Sequence, residues 1–133
     1  MAARPRVLVV DNDTLSLSTT ARCLRRSGYE IAVATCGAAA LCTPGRFWCA
    51  VFDVDLADGS GIDFAEQLSR ARRVDRIVFF SASPTTSERA RAEHIGTFVD
   101  KLAGVAELTC AVADIPTVRS ARRSCAACDI ARQ

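Results

Sequence analysis

Lysine is nearly absent from this chain. Of its 17 basic residues all but Lys101 are arginine. Histidine is as scarce, with His94 the sole copy, and methionine, tryptophan and tyrosine occur once each. Cys125 and Cys128 form a CxxC, but this supplies only two of the four ligands of a structural zinc site, and His94 is remote in sequence; zinc would need two chains sharing one site. Long hydrophobic runs are missing too, and no stretch approaches a membrane span. Arg4 and Arg6 lead into a short strand-like run backed by an Asp, which is unlike a signal peptide. An intracellular, cytoplasmic protein with no membrane contact is therefore expected. A net charge of +2 argues by itself for neither nucleic acid nor a lipid surface.

Cysteine, by contrast, is plentiful at seven. The odd number and the intracellular reading argue against a disulfide framework. Cys23, Cys36, Cys42, Cys49 and Cys110 fall within apolar or helical patterns, where a free thiol behaves as a small hydrophobe. At 133 residues, half of them apolar and a quarter charged, the chain has the makings of one domain with a real core.

Four apolar runs each end in a residue able to do chemistry. Val7-Leu8-Val9-Val10 precedes Asp11, Ala50-Val51-Phe52 precedes Asp53, Ile77-Val78-Phe79-Phe80 precedes Ser81, and Thr97-Phe98-Val99-Asp100 precedes Lys101. Short continuous runs of Val, Ile and Phe read as strands buried on both faces of a parallel sheet. Ligands of open α/β sheets bind at the carboxyl ends of the strands. Neighbouring strands would bring two carboxylates, a hydroxyl and an ammonium into one pocket, which suits a divalent cation and a phosphoryl group. The lone lysine either survived by chance or marks a place where a compact ammonium is needed and a planar guanidinium would not fit.

Strand and helix signals alternate. Strands are predicted at 6–10, 29–34, 47–52, 76–80 and 97–100. Helices are predicted from Asp13 or Thr14 to about Ser27, at 37–42, from Ile62 to about Arg72, at 86–94, and from Val105 to about Ile115. In the first helix Leu15, Ala21 and Leu24 are expected to face inward and Arg22, Arg25 and Arg26 outward; Gly28 is its stop. Asp58-Gly59-Ser60-Gly61 reads as a turn. Five βα units of this size imply an α/β fold with a doubly wound, five-stranded parallel sheet and helices on both faces. Pro116 closes the folded part, and 116–133 reads as a basic Cys- and Arg-containing tail.

Val-Val-Asp-Asn-Asp at 9–13, Asp-Val-Asp-Leu-Ala-Asp-Gly-Ser-Gly at 53–61, Ser81-Ala82 and Lys101 resemble the receiver domain of bacterial two-component response regulators, over residues 5–115. The resemblance implies a flavodoxin-like (βα)5 fold with strand order 2-1-3-4-5. It implies that Asp53 accepts a phosphoryl group from a phosphohistidine on a sensor histidine kinase or phosphotransfer protein, by nucleophilic attack of its carboxylate. It assigns Mg²⁺ binding to Asp11, Asn12, the Asp53 side chain and the Asp55 backbone carbonyl. Lys101 would pair with the phosphoryl oxygens and Ser81 would donate to them. Phe98 matches the aromatic switch position, and Ser81 and Phe98 together would be the two-state element read by a downstream protein target. By the same analogy, the contact surface is the face of the last two helices and last strands. Taken singly, Asp11 and Asp13 could merely cap the first helix, Asp53, Asp55 and Asp58 could be an acidic turn, Ser81 a turn residue and Phe98 plain core.

The chain departs from the family pattern in several places. Asn12 replaces the second acidic residue after the first strand, so metal affinity should fall; Asp13, one position later, should point elsewhere. Leu102 replaces the proline after Lys101, so a trans peptide bond is expected there. Ala57 replaces a common proline, and the entry to the fifth strand is about two residues short. Asp55 adds a carboxylate near the phosphoryl group. With a tail too short for a DNA-binding module, the expected protein is a stand-alone signalling switch rather than a turnover enzyme. The alternative is a pseudo-receiver that docks proteins without being phosphorylated. A phosphatase reusing an Asp nucleophile, with Asp55 as its acid/base, and a nucleic-acid-binding tail are weaker readings.

Overall fold

The computed structural model describes residues 4–82 and 84–113. The predicted tail at 116–133 with its CxxC, and the predicted end of the last helix at Ile115, lie outside them.

Five parallel strands form the sheet: β1 (Arg6–Val10), β2 (Glu30–Ala34), β3 (Phe47–Phe52), β4 (Val74–Ser81) and β5 (Thr97–Asp100). Their order is β2-β1-β3-β4-β5, the order expected, with winding reversed beside β1. The helices are α1 (Thr14–Arg26), α2 (Gly37–Cys42), α3 (Gly61–Arg70), α4 (Thr86–Ile95) and α5 (Val105–Val112). Side chains of the inner strands alternate between two cores. Leu8, Val10, Ala50, Phe52 and Phe79 pack with Ile62 and Leu68 of α3. Val7, Val9, Val51, Val78 and Val99 pack with Leu17 and Leu24 of α1 and Leu108 of α5. Burial on both faces is why these strands read as unbroken apolar runs.

Asp13 caps α1, its carboxylate accepting the amides of Leu15 and Ser16, and satisfies donors the helix leaves open. The buried stripe is Leu17, Thr20, Ala21 and Leu24. Leu15, expected inward, is 77% exposed; two positions before Leu17, it falls on nearly the opposite side of the helix. Gly28 ends α1 in the left-handed region at φ 100°, as predicted. Arg72 takes the same role after α3, at φ 57°. Its amide donates to Ser69 and that of Arg73 to Leu68, the paired bonds of a Schellman turn. The Arg73 side chain then donates to the carbonyls of Leu41, Thr43 and Gly45 and ties the α2–β3 loop to the sheet. Cys49 is buried as expected, whereas Cys42 is exposed.

The entry to β5 is a single residue. Gly96 alone links α4 to the strand, and a Cβ there would overlap the Ile77 carbonyl. After β5 the Lys101–Leu102 bond is trans, since the described residues hold no cis peptide. The chain makes one 3-10 turn, Lys101–Ala103, capped by the Asp100 carboxylate on the Leu102 amide. Leu102 is left 89% exposed. No helix among the described residues is long and apolar enough to cross a membrane.

Candidate functional site

Register places the site. Val10 is level with Phe52 and Phe52 with Phe79, and Ser81 is level with Asp100. Asp11, Asp53, Ser81 and Lys101 therefore leave the sheet side by side at its carboxyl edge. Backbone bonds fix the two aspartates: the Asp53 amide donates to Val10 and the Asp11 amide to Ala34.

The Lys101 ammonium donates to Asp11 Oδ2 at 2.8 Å and to Asp53 Oδ2 at 3.0 Å. Ser81 Oγ donates to Asp53 Oδ1 at 2.8 Å and accepts the Val54 amide at 3.4 Å. The Asp55 amide donates to Asp53 Oδ1 at 3.2 Å. The Asp13 amide donates to Asp11 Oδ1 at 2.9 Å. Asp11 is 4%, Asp53 9% and Ser81 1% exposed, so the charges sit where water screens them weakly and each polar atom needs a protein partner. Burial pulls the Lys101 ammonium down, but hydrogen bonds to Asp11 and Asp53 and the charges of both outweigh it, and its pKa stands above the ordinary lysine value. Lys101 is charged throughout the physiological range.

The four residues predicted from the strand ends thus meet in one cluster. Phe98 lies level with Phe79 on β5, turned inward at 7% exposure. The Arg89 guanidinium of α4 covers its ring at 4.8 Å. Asn12 and Asp55 are exposed at the rim. Asp13 is committed to capping α1, as its register implied.

Beside the Lys101 ammonium, the Asp11 and Asp53 carboxylates and the Ser81 hydroxyl give this edge oxygen donors. Two carboxylates with an amide oxygen and a carbonyl nearby suit a small, hard divalent cation that keeps several of its waters. Among the described residues no group of three or more His, Cys, Asp and Glu is placed to hold a metal. Asp11 and Asp53 are the two carboxylates that the Lys101 ammonium brings together at this edge.

Close packing fixes the loop beyond Asp53. A Cβ on Gly61, the first residue of α3, would overlap the Asp53 carbonyl. The Gly61 amide donates to Val54 at 2.7 Å. Between them, Asp55–Leu56 and Gly59–Ser60 form a tiny antiparallel ladder. Asp58 at its tip reaches across to α2, accepting the amides of Gly37 and Ala38 at 2.9 Å each. The amides of Ala38 and Gly37 hold its carboxyl below the usual carboxylate range. Sequence reading gave Asp58 a turn and nothing more; no local pattern links it to a helix about twenty residues upstream.

A family profile described as the response regulator receiver domain matches residues 7–113. Among solved structures, a CheY-like response regulator receiver domain protein from Methanospirillum hungatei is similar at 24% identity and a TM-score of 0.73, over 80% of this chain and 88% of that one. A response regulator protein from Burkholderia pseudomallei with a phosphorylated aspartic acid, calcium ion and citrate is similar at 21% identity and 0.75, over 93% and 73%. A response regulator protein from Thermotoga maritima in complex with Mg²⁺ and BeF is similar at 24% identity and 0.69, over 78% and 92%. At these identities the structural likeness shows the fold. No curated protein matches the chain.

Proposed function

The chain belongs to the response regulator receiver domain family, a family of signalling domains, and on that premise we propose that residues 5–115 form a working receiver whose phosphoacceptor is Asp53. The observation that carries this reading is the single ammonium of Lys101 bridging Asp11 and Asp53 while Ser81 holds the other Asp53 oxygen. An Asp53 carboxylate oxygen attacks the phosphorus of a phosphohistidine on a sensor kinase or phosphotransfer protein. The P–N bond breaks, an acyl phosphate forms, and the freed imidazole nitrogen takes a proton. Two anions approach each other in that step, so positive charge must be in place beforehand. Lys101 supplies one such charge, its ammonium already bonded to Asp53. Mg²⁺ held by Asp11, Asn12, Asp53 and the Asp55 carbonyl would supply the rest.

Ser81, already bonded to Asp53, then donates to the phosphoryl group. That movement and the packing of Phe98 beneath Arg89 form the switch read by a downstream protein target. Leu15, 77% exposed, lines a surface pocket with Lys101 and offers the incoming partner an apolar footing. The receiver acts in the cytoplasm, through protein contacts. The phosphorylated aspartic acid of the Burkholderia pseudomallei protein and the Mg²⁺ of the Thermotoga maritima protein support the same chemistry here.

One observation favours the second reading, a docking module that is never phosphorylated. The position after Asp11 is an exposed, uncharged Asn12, and Asp13 does not replace the missing charge. Intact mass after incubation with a small acyl-phosphate donor and Mg²⁺ separates the two. A single added phosphoryl group, absent from Asp53→Asn, supports the working receiver. No addition, together with no calorimetric Mg²⁺ binding, overturns it. Trp48 is a poor optical reporter, since it lies roughly 16 Å up the strand from Asp53.

A further inference from the structure

We infer that Asp58 is a positioning residue for the phosphoacceptor site, holding the 54–60 loop in place from outside it by clasping the start of α2. This inference rests on the receiver reading, because the groups it positions are the Asp55 amide and carbonyl.

Val54 and Leu56 anchor the inner half of the loop in the core, and its ladder pairs Asp55 with Ser60 and Leu56 with Gly59. Asp58 sits at the exposed tip, beyond those buried anchors. Both of its carboxylate oxygens are engaged, one on the Gly37 amide and one on the Ala38 amide, each at 2.9 Å. Two bonds from one rigid, planar group fix orientation as well as distance. The amides it takes are ones the helix leaves open, so the clasp satisfies α2 while fixing the loop. Phe64 of α3 packs against both Gly37 and Gly59, so α2, the loop tip and α3 meet at one contact.

At the other end of the loop, the Asp55 amide donates to Asp53 Oδ1. Movement of the tip is passed along a two-residue ladder to that bond. A group two steps removed from a metal ligand commonly changes metal affinity by orienting the ligand rather than touching the ion.

The test uses the full chain with Asp58→Ala, Asp58→Asn and, as a control, Thr43→Val. Thr43 bonds the Ala39 carbonyl at the far end of α2, so its loss loosens that helix without touching the loop. Amide hydrogen exchange by NMR and Mg²⁺ titration by calorimetry are the readouts. Asp58→Ala is expected to speed exchange at Asp55 as well as at Gly37 and Ala38, and to weaken Mg²⁺ binding about tenfold. Asp58→Asn keeps one acceptor oxygen and should restore part of both effects. Thr43→Val should alter neither Asp55 exchange nor Mg²⁺ affinity. If Gly37 and Ala38 change while Asp55 exchange and Mg²⁺ affinity stay at parental values, Asp58 is a helix cap only and the inference falls. Should Asp58→Ala fail to fold, the same comparison is read from Asp58→Asn. Should the parent bind no Mg²⁺, the receiver reading fails, while Asp55 exchange still decides whether Asp58 positions the loop.

Discussion

Replacing Lys101 by methionine removes the ammonium and keeps most of the side-chain length. In the parent, that ammonium lies 2.8 Å from Asp11 Oδ2 and 3.0 Å from Asp53 Oδ2. The two oxygens can be no farther apart than those bonds laid end to end. At a separation of roughly 5 Å and an effective dielectric of about 20, two carboxylates repel by about 3 kcal/mol. Two charge-assisted hydrogen bonds are lost as well, each worth about 1.5–3 kcal/mol when formed. Water recovers only part of this, because the Asp11 and Asp53 side chains are 6% and 11% exposed. Removing one partner of a buried ion pair typically costs about 3–5 kcal/mol, and we expect Lys101→Met to lose about 3–4 kcal/mol at neutral pH. That is a large share of the roughly 5–15 kcal/mol that holds a domain together. Urea unfolding followed by circular dichroism measures it, since a domain of this size unfolds in one cooperative step. The same experiment in Mg²⁺ is the sharper half. A cation between the carboxylates replaces the missing charge, and at a hundredfold excess over its Kd it returns about 2.7 kcal/mol. A loss below about 1 kcal/mol, or one that Mg²⁺ leaves untouched, would show that the carboxylates do not depend on Lys101 for compensation.

Three further outcomes follow from the same geometry. The Lys101 pKa is raised on folding above the ordinary lysine value, so the stability it confers is complete below about pH 10 and is lost as pH rises through the folded value. Tyr29 is also raised by burial, and burial pushes Cys49 up to about 12, so the parent must be compared with Lys101→Met; parallel curves above pH 10 would refute the linkage. Asn12→Asp adds a carboxylate at the rim, and calorimetry should find Mg²⁺ bound about tenfold tighter and the metal-free protein less stable, by like-charge repulsion. Unchanged affinity would mean that residue 12 points away from the metal. Arg72→Gly relieves a left-handed residue at φ 57°, worth about 1–2 kcal/mol, against about 0.4–1 kcal/mol of added unfolded-chain entropy. A melting temperature a few degrees higher is expected, and a lower one would show that Arg72 makes a contact worth more than its strain.

The sequence alone determined the sheet and which residues stand at its edge. Both faces of the inner strands had to be covered, so Val7–Val10, Phe47–Phe52 and Ile77–Phe80 could not alternate with polar residues, and that unbroken pattern is legible without coordinates. A residue that ends such a run must emerge at the carboxyl edge, so Asp11, Asp53, Ser81 and Lys101 were identifiable one by one. Gly28 was legible as a helix stop for the same kind of reason, a backbone angle that other side chains resist. Tertiary structure decided what depends on distance along the chain. Which carboxylate oxygen Lys101 takes depends on residues 48 and 90 positions away meeting in one place. The clasp of Asp58 on α2 and the cover of Arg89 over Phe98 are likewise set by how helices lie on the sheet. Leu15 looked like core because it is apolar and near the helix start, yet the stripe through Leu17, Ala21 and Leu24 leaves it facing out. Local sequence fixes what a segment can be; only packing fixes which neighbour completes its hydrogen bonds and charges.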